Sequence, residues 1–148
     1  MEAAELAELR TTYIFTPIEG DTWGLTYELV ETRLRERDPD AFVRLQADQD
    51  GPVRGSALYF GFTLGEEKLE GTSKLAFEGI SLEHCTAHAA AEFVRWLGNH
   101  IVPEGRAITF NTEWGLEAGL PDTAVPDVPR PRIVASFLAH LEATGFLD

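Results

Sequence analysis

His84, His88 and Glu92 stand at i, i+4 and i+8. On a helix that spacing puts all three on one face. Two histidines one turn apart can share a zinc ion, with a carboxylate as third ligand. A helical zinc hydrolase motif places glutamate directly after the first histidine, where it acts as general base. Here Cys85 follows His84. The trio is therefore a metal candidate without the base of a hydrolytic motif. No further ligand is marked beside it, and a solvated polar face opposite an apolar stripe is the reading adopted. Cys85 is the one cysteine of the chain. A reactive thiol needs a lowered pKa and access to substrate. Cys85 instead falls on the stripe of Leu82, Ala89 and Phe93, which makes it a buried structural thiol.

Other chemistry is not marked. The segment Gly51 to Gly55 lacks the Lys-Ser/Thr ending and the following helix of a phosphate loop. No Gly-x-Ser-x-Gly elbow occurs. The 25 acidic residues allow so many carboxylate pairs that none is informative. No catalytic residue and no cofactor are assigned.

The elements that must position these residues follow from periodicity. Leu82, Cys85, Ala89, Phe93, Trp96 or Leu97, and Ile101 recur at three- and four-residue steps, predicting a helix over 81–101 with Ser81 as N-cap. Trp23, Tyr27, Val30 and Leu34 predict a helix over 21–37 capped by Asp21. The alternation of Trp23, Leu25, Tyr27 and Leu29 leaves a strand over 22–29 as the rival. Ile133, Val134, Phe137, Leu138 and Leu141 predict a last helix over 131–145, and residues 2–10 a short first one.

Strands are expected at Thr11–Phe15, Ala41–Ala47, Ser56–Leu64, Ser73–Glu78 and Arg106–Asn111. Asp50-Gly51-Pro52 reads as a turn, and Gly65–Gly71 as a polar hairpin loop. Residues 112–132 hold four prolines, two glycines and four acids. They are expected to give a helical turn or two at 113–120 and then a stiff, extended connector. The fold class is thus a single α+β domain over 1–148: an antiparallel sheet of four to five strands, with helices mainly on one face.

Composition limits the partners. The net charge of −13 repels a phosphate backbone and an anionic membrane surface, so neither nucleic acid nor membrane is expected. A single cysteine excludes an internal disulfide scaffold. The acidic start, MEAAELAELR, lacks the basic region of a secretory signal, and a cytoplasmic location is the expectation. Ten arginines against two lysines fit a GC-rich, bacterial coding sequence.

One surface stands out. If the helices cover the face of Leu58, Phe60, Phe62, Leu75 and Phe77, the opposite face shows Phe42, Arg44, Gln46, Tyr59, Thr63 and Lys74. Aromatics and cations gathered on an acidic protein suit a docking surface. Phe42, Arg44, Tyr59 and Lys74 are the candidate binding residues, for a protein or peptide or for self-association as a dimer. The expected function is non-enzymatic protein interaction. At the level of element order alone the chain is similar to small acidic binding domains such as secretion chaperones and toxin-immunity proteins. The alternatives are a metal-dependent enzyme using His84, His88 and Glu92, and a small-ligand binder with a cavity between sheet and helices near Trp23 or Trp114.

Overall fold

The computed structural model describes residues 2–46, 56–75 and 78–145. These form a single α+β domain with one antiparallel sheet of seven strands and five helices. In chain order they are α1 (Ala3–Glu8), β1 (Thr11–Pro17), α2 (Tyr27–Arg37), β2 (Phe42–Gln46), β3 (Ala57–Leu64), β4 (Glu67–Lys74), β5 (Gly79–Cys85), α3 (Ala87–His100), β6 (Ile108–Thr112), α4 (Glu113–Glu117), β7 (Thr123–Ala124) and α5 (Arg130–Ala143). The strand order is β2-β3-β4-β5-β1-β6-β7. β2 to β5 form a meander, and β1 then joins that meander to β6.

The core lies between one face of the sheet and the helices. Phe93 of α3 is fully buried within ring-contact distance of Phe15, Phe60, Phe62 and Trp96. Phe137 of α5 meets Tyr13, Phe15 and Phe110. Both helices therefore reach across several strands at once. Val30 and Leu34 bring α2 into the same cluster. Small residues at Ala87, Ala89, Ala90 and Ala91, all buried, let α3 lie close to its neighbours.

Four sequence expectations are corrected. The sheet has seven strands rather than four to five. The helix expected over 81–101 begins at Ala87, and Ser81–Cys85 belongs to strand β5. Thr86, not Ser81, is the N-cap: its side chain accepts the Ala89 amide at 3.2 Å. Leu82 and Cys85 fit a helical step as well as a strand, and pairing with β4 and β1 on both sides decides for the strand.

The presumed polar loop 65–71 is largely β4, and of the described residues in the strand expected over 73–78 only Ser73 and Lys74 belong to it. The core-facing positions of β4 are Leu69, Gly71 and Ser73, two of them small. Gly71 is small because a Cβ there would collide with the Phe60 ring and the Ser81 carbonyl. That close approach removes the apolar alternation by which a strand is recognised.

The helix expected over 21–37 begins at Tyr27 with Thr26 as cap, whose side chain accepts the Leu29 amide at 3.1 Å. Residues 21–26 are neither helix nor strand. Gly24 has φ +67°, and Trp23 and Leu25 are buried on either side of it. The connector 112–132 has the expected helical turn as α4, and the segment beyond it includes β7, which pairs with β6. The last helix spans Arg130–Ala143. Ala47, the Asp50-Gly51-Pro52 turn and Phe77 lie outside the described residues.

Candidate functional site

The strand register assembles the outer face of the sheet. One row crosses six strands: Arg44, Tyr59, Thr72, Ser81, Ile14 and Asn111 are successive partners. Beside it run Phe42, Gly61 and Glu70, and on the other side the pairs Gln46–Ala57 and Lys74–Gly79. β3 alternates buried core positions with half-buried Tyr59, Gly61 and Thr63 on this outer side. The helices cover the other face, so the row is open to solvent through its centre.

The candidate binding residues are brought together here. Arg44 and Tyr59 are directly paired across β2 and β3, and the Arg44 guanidinium lies 5.5 Å from the Tyr59 ring centroid. This cation–π contact stiffens a cation on an aromatic base and leaves its edge available. Arg44 also reaches Gln46 Oε1 at 3.5 Å. Phe42 is 57% exposed. Lys74 stands on β4, on the same face, as does Lys68. Both lysines of the chain are thus on this face with Arg44, on a molecule of net charge −13, though Lys68 and Lys74 stand about 20 Å apart along β4. Glu70 sits among them.

The metal candidates separate. His84 lies on β5 with φ +45°, whereas His88 and Glu92 lie on α3. The i, i+4, i+8 face therefore does not exist, because the helix starts after His84. Among the described residues no group of three or more His, Cys, Asp or Glu is placed to hold a metal ion. Glu92 instead approaches Arg130 at 3.9 Å. Cys85 is buried at the end of β5, and its thiol is pushed up to about 12 by burial, with Arg10 opposing and Glu67 adding to the shift. It has no thiolate character at neutral pH. Tyr13, buried near it, is likewise raised by burial and stays neutral.

Sequence reasoning missed a buried polar cluster at the end of β6. Thr112 Oγ1 accepts the Gly115 amide at 2.9 Å and lies 3.0 Å from His140 Nε2. Asn111 Oδ1 accepts the Thr112 amide at 2.9 Å. The Asn111 Nδ2 donates to the Leu120 carbonyl and to Asp122, each at 3.0 Å. A hydroxyl beside an imidazole is the beginning of a nucleophile–base pair. Here it is closed: Thr112 is fully buried, and even a Cβ on Gly115 would strike the Asn111 amide and the His140 ring. Burial lowers the pKa of His140, so the ring is neutral, and its Nε2 shares a hydrogen bond with the Thr112 hydroxyl. The cluster caps α4 and fastens the start of the proline-rich segment. A signal existed in the position of His140, three residues after Phe137 and seven after Ile133 on the buried stripe.

A second polar fastening holds residues 22–25. Glu78 accepts the Trp23 amide at 3.0 Å, the Leu25 amide at 2.8 Å and the Thr22 hydroxyl. Burial alone would raise this carboxyl, but the Thr22 hydroxyl and the amides of Leu25, Trp23 and Gly24 outweigh it and hold the pKa below its ordinary value. Trp23 Nε1 donates to the Ala107 carbonyl at 3.1 Å, so this loop also fixes the approach to β6.

Neither Trp23 nor Trp114, near which a ligand cavity was expected, lines the groove on α3. That open groove, of about 730 Å³, lies between the C-terminal half of α3, residues 103–108, residues 125–129 and Ile133. Val94, Ile108, Val125 and Ile133 form its apolar part, and Arg95, Glu104, Arg106 and Asp127 its polar part. Arg106 is paired with Asp21. No described helix is long and apolar enough to cross a membrane. No family model, no curated protein and no solved structure matches this chain.

Proposed function

We propose that this chain is a non-enzymatic protein-interaction domain whose working surface is the outer face of the sheet at β2, β3 and β4. The observation that carries the reading is the pairing of Arg44 on Tyr59, beside exposed Phe42 and near Lys74, on a face left open by the helices. Arginine and tyrosine are the residue types that concentrate binding energy at interfaces, because each combines apolar area with a directed polar group. The Arg44 guanidinium, held over an aromatic ring, favours a partner surface with a carboxylate among apolar groups.

Affinity capture from the cells that make the protein tests this reading. Wild-type chain is compared with Arg44→Glu and with Tyr59→Ala, each first shown to melt within about 3 °C of wild type, as expected for surface changes. A partner recovered by wild type and lost by both variants supports the proposal. A partner recovered equally by all three contradicts it. A small-ligand reading has the open groove at α3 in its favour; the same capture with Arg95→Trp, an exposed position that narrows that groove, is expected to leave partner recovery unchanged.

A further inference from the structure

The two edges of the sheet differ. An edge strand presents unpaired N–H and C=O groups, and proteins blunt such edges by shortness, proline, lysine or bulges. β7 is blunted: it is two residues long and lies between Pro121 and Pro126. β2 is not. It is five residues, Phe-Val-Arg-Leu-Gln, without proline, glycine or lysine, and it pairs with β3 in unbroken register. Four of its five residues are exposed. Phe42 and Leu45 are 57% and 55% exposed and point to opposite faces of the strand. Large apolar side chains thus flank both sides of a backbone edge that no other described strand pairs.

We infer that β2 accepts an extended segment of a partner protein as an eighth strand, a mode that rests on the proposed interaction function. Main-chain hydrogen bonds supply the attachment in strand addition, and alternate side chains supply the selectivity. The chemistry of the segment follows from what flanks β2. On the outer face it meets Phe42, Arg44 and Gln46; on the inner face it meets Val43 and Leu45. A matching segment carries one carboxylate opposite Arg44 and β-branched apolar residues at the two positions beside it, opposite Val43 and Leu45. Opposite charges and apolar pairs directly across strands are each stabilising. The segment has low net charge overall, because a body of charge −13 repels a polyacidic one.

A second copy fits less well. Antiparallel two-fold pairing of β2 with full overlap centres on Arg44, which sets two guanidinium groups directly opposite each other, a destabilising arrangement. The −13 charge on each copy adds to the repulsion.

The test uses the full chain, isotope-labelled for backbone NMR, and a capped probe peptide the length of β2. The probe has threonine at its ends, valine at its second and fourth positions and glutamate at its centre. Two versions are N-methylated on alternate amides, one on the odd set and one on the even set. Strand addition predicts shifts centred on β2 amides, loss of binding by about tenfold or more with one methylated set only, and similar loss when the central glutamate becomes lysine. Arg44→Glu is expected to invert that last preference. Absence of β2 shifts, or equal binding of both methylated sets, overturns the inference. Concentration-dependent dimerisation that protects β2 amides without peptide also overturns it, by making a second copy the occupant. Should Tyr59→Ala abolish partner capture while the probe leaves β2 untouched, strand addition falls and the interaction face stands.

Discussion

Replacing Phe93 by alanine is the sharpest test of the packing. The ring is fully buried and is in contact with four others: Phe15 at 5.8 Å, stacked Phe60 at 6.2 Å, edge-on Phe62 at 6.2 Å and Trp96 at 5.8 Å between centroids. Removing it forfeits about 2–3 kcal/mol of apolar transfer. The space left among four rings anchored on two strands and a helix collapses only in part, adding about 1–2 kcal/mol. The expected loss is about 4 kcal/mol. For a domain near 150 residues this lowers the melting temperature by roughly 8–16 °C. Urea unfolding followed by tryptophan fluorescence measures it, since Trp96 lies against the ring. A shift in midpoint at constant slope identifies a change in stability rather than in compactness. Phe93→Leu, which keeps most of the volume, should cost about 1–2 kcal/mol. A loss below about 1 kcal/mol for Phe93→Ala would refute the placement of α3 on the sheet.

Further outcomes follow from particular residues. Gly71→Ala places a methyl group against the Phe60 ring and the Ser81 carbonyl; the expected cost is about 2–3 kcal/mol, measured by the same urea titration. Glu78 has a folded pKa below its ordinary 4.5, so the unfolded chain binds the proton first as pH falls. Its stabilisation is therefore complete above about pH 4.5 and is lost as pH drops through the folded value. Glu78→Gln should be less stable at neutral pH and show a flatter stability curve below that point, read from unfolding midpoints across pH. Cys85, buried with its thiol pushed up to about 12, should react with a colourimetric disulfide reagent at roughly a hundredth or less of the unfolded-chain rate. Full reactivity should appear only with denaturant, and fast labelling of native protein would place the thiol at the surface.

The sequence carried the fold class because its strongest patterns are long. The stripe from Ala89 to Leu97 is helical in the structure, and the alternation of Leu58, Phe60, Phe62 and Leu64 does line the core. Short elements were not legible. β4 has glycine and serine where a strand normally shows apolar side chains, because Phe60 occupies the space above Gly71. Ser81–Cys85 matches two periodicities, and neighbours contributed from distant parts of the chain decide between them. The break at Gly24 depends on Glu78, a partner more than fifty positions away, which no local pattern reveals.

The same distinction governs the candidate site. Phe42, Arg44, Tyr59 and Lys74 could be placed on one face because period-two alternation fixes sidedness whatever the strand order. The contact of Arg44 with Tyr59 required the β2–β3 register. His84, His88 and Glu92 failed as a set for the opposite reason. Their grouping assumed one continuous helix, and two residues of strand and a cap interrupt it.

Photo-crosslinking from the sheet face tests the central claim most directly. A benzophenone side chain is introduced at Tyr59, and in a second protein at Glu142, exposed on α5. Both proteins are illuminated in the cells that produce them. The interaction account predicts a discrete adduct from position 59 and none from position 142. Equal adducts from both positions, or an adduct from position 142 alone, would contradict it.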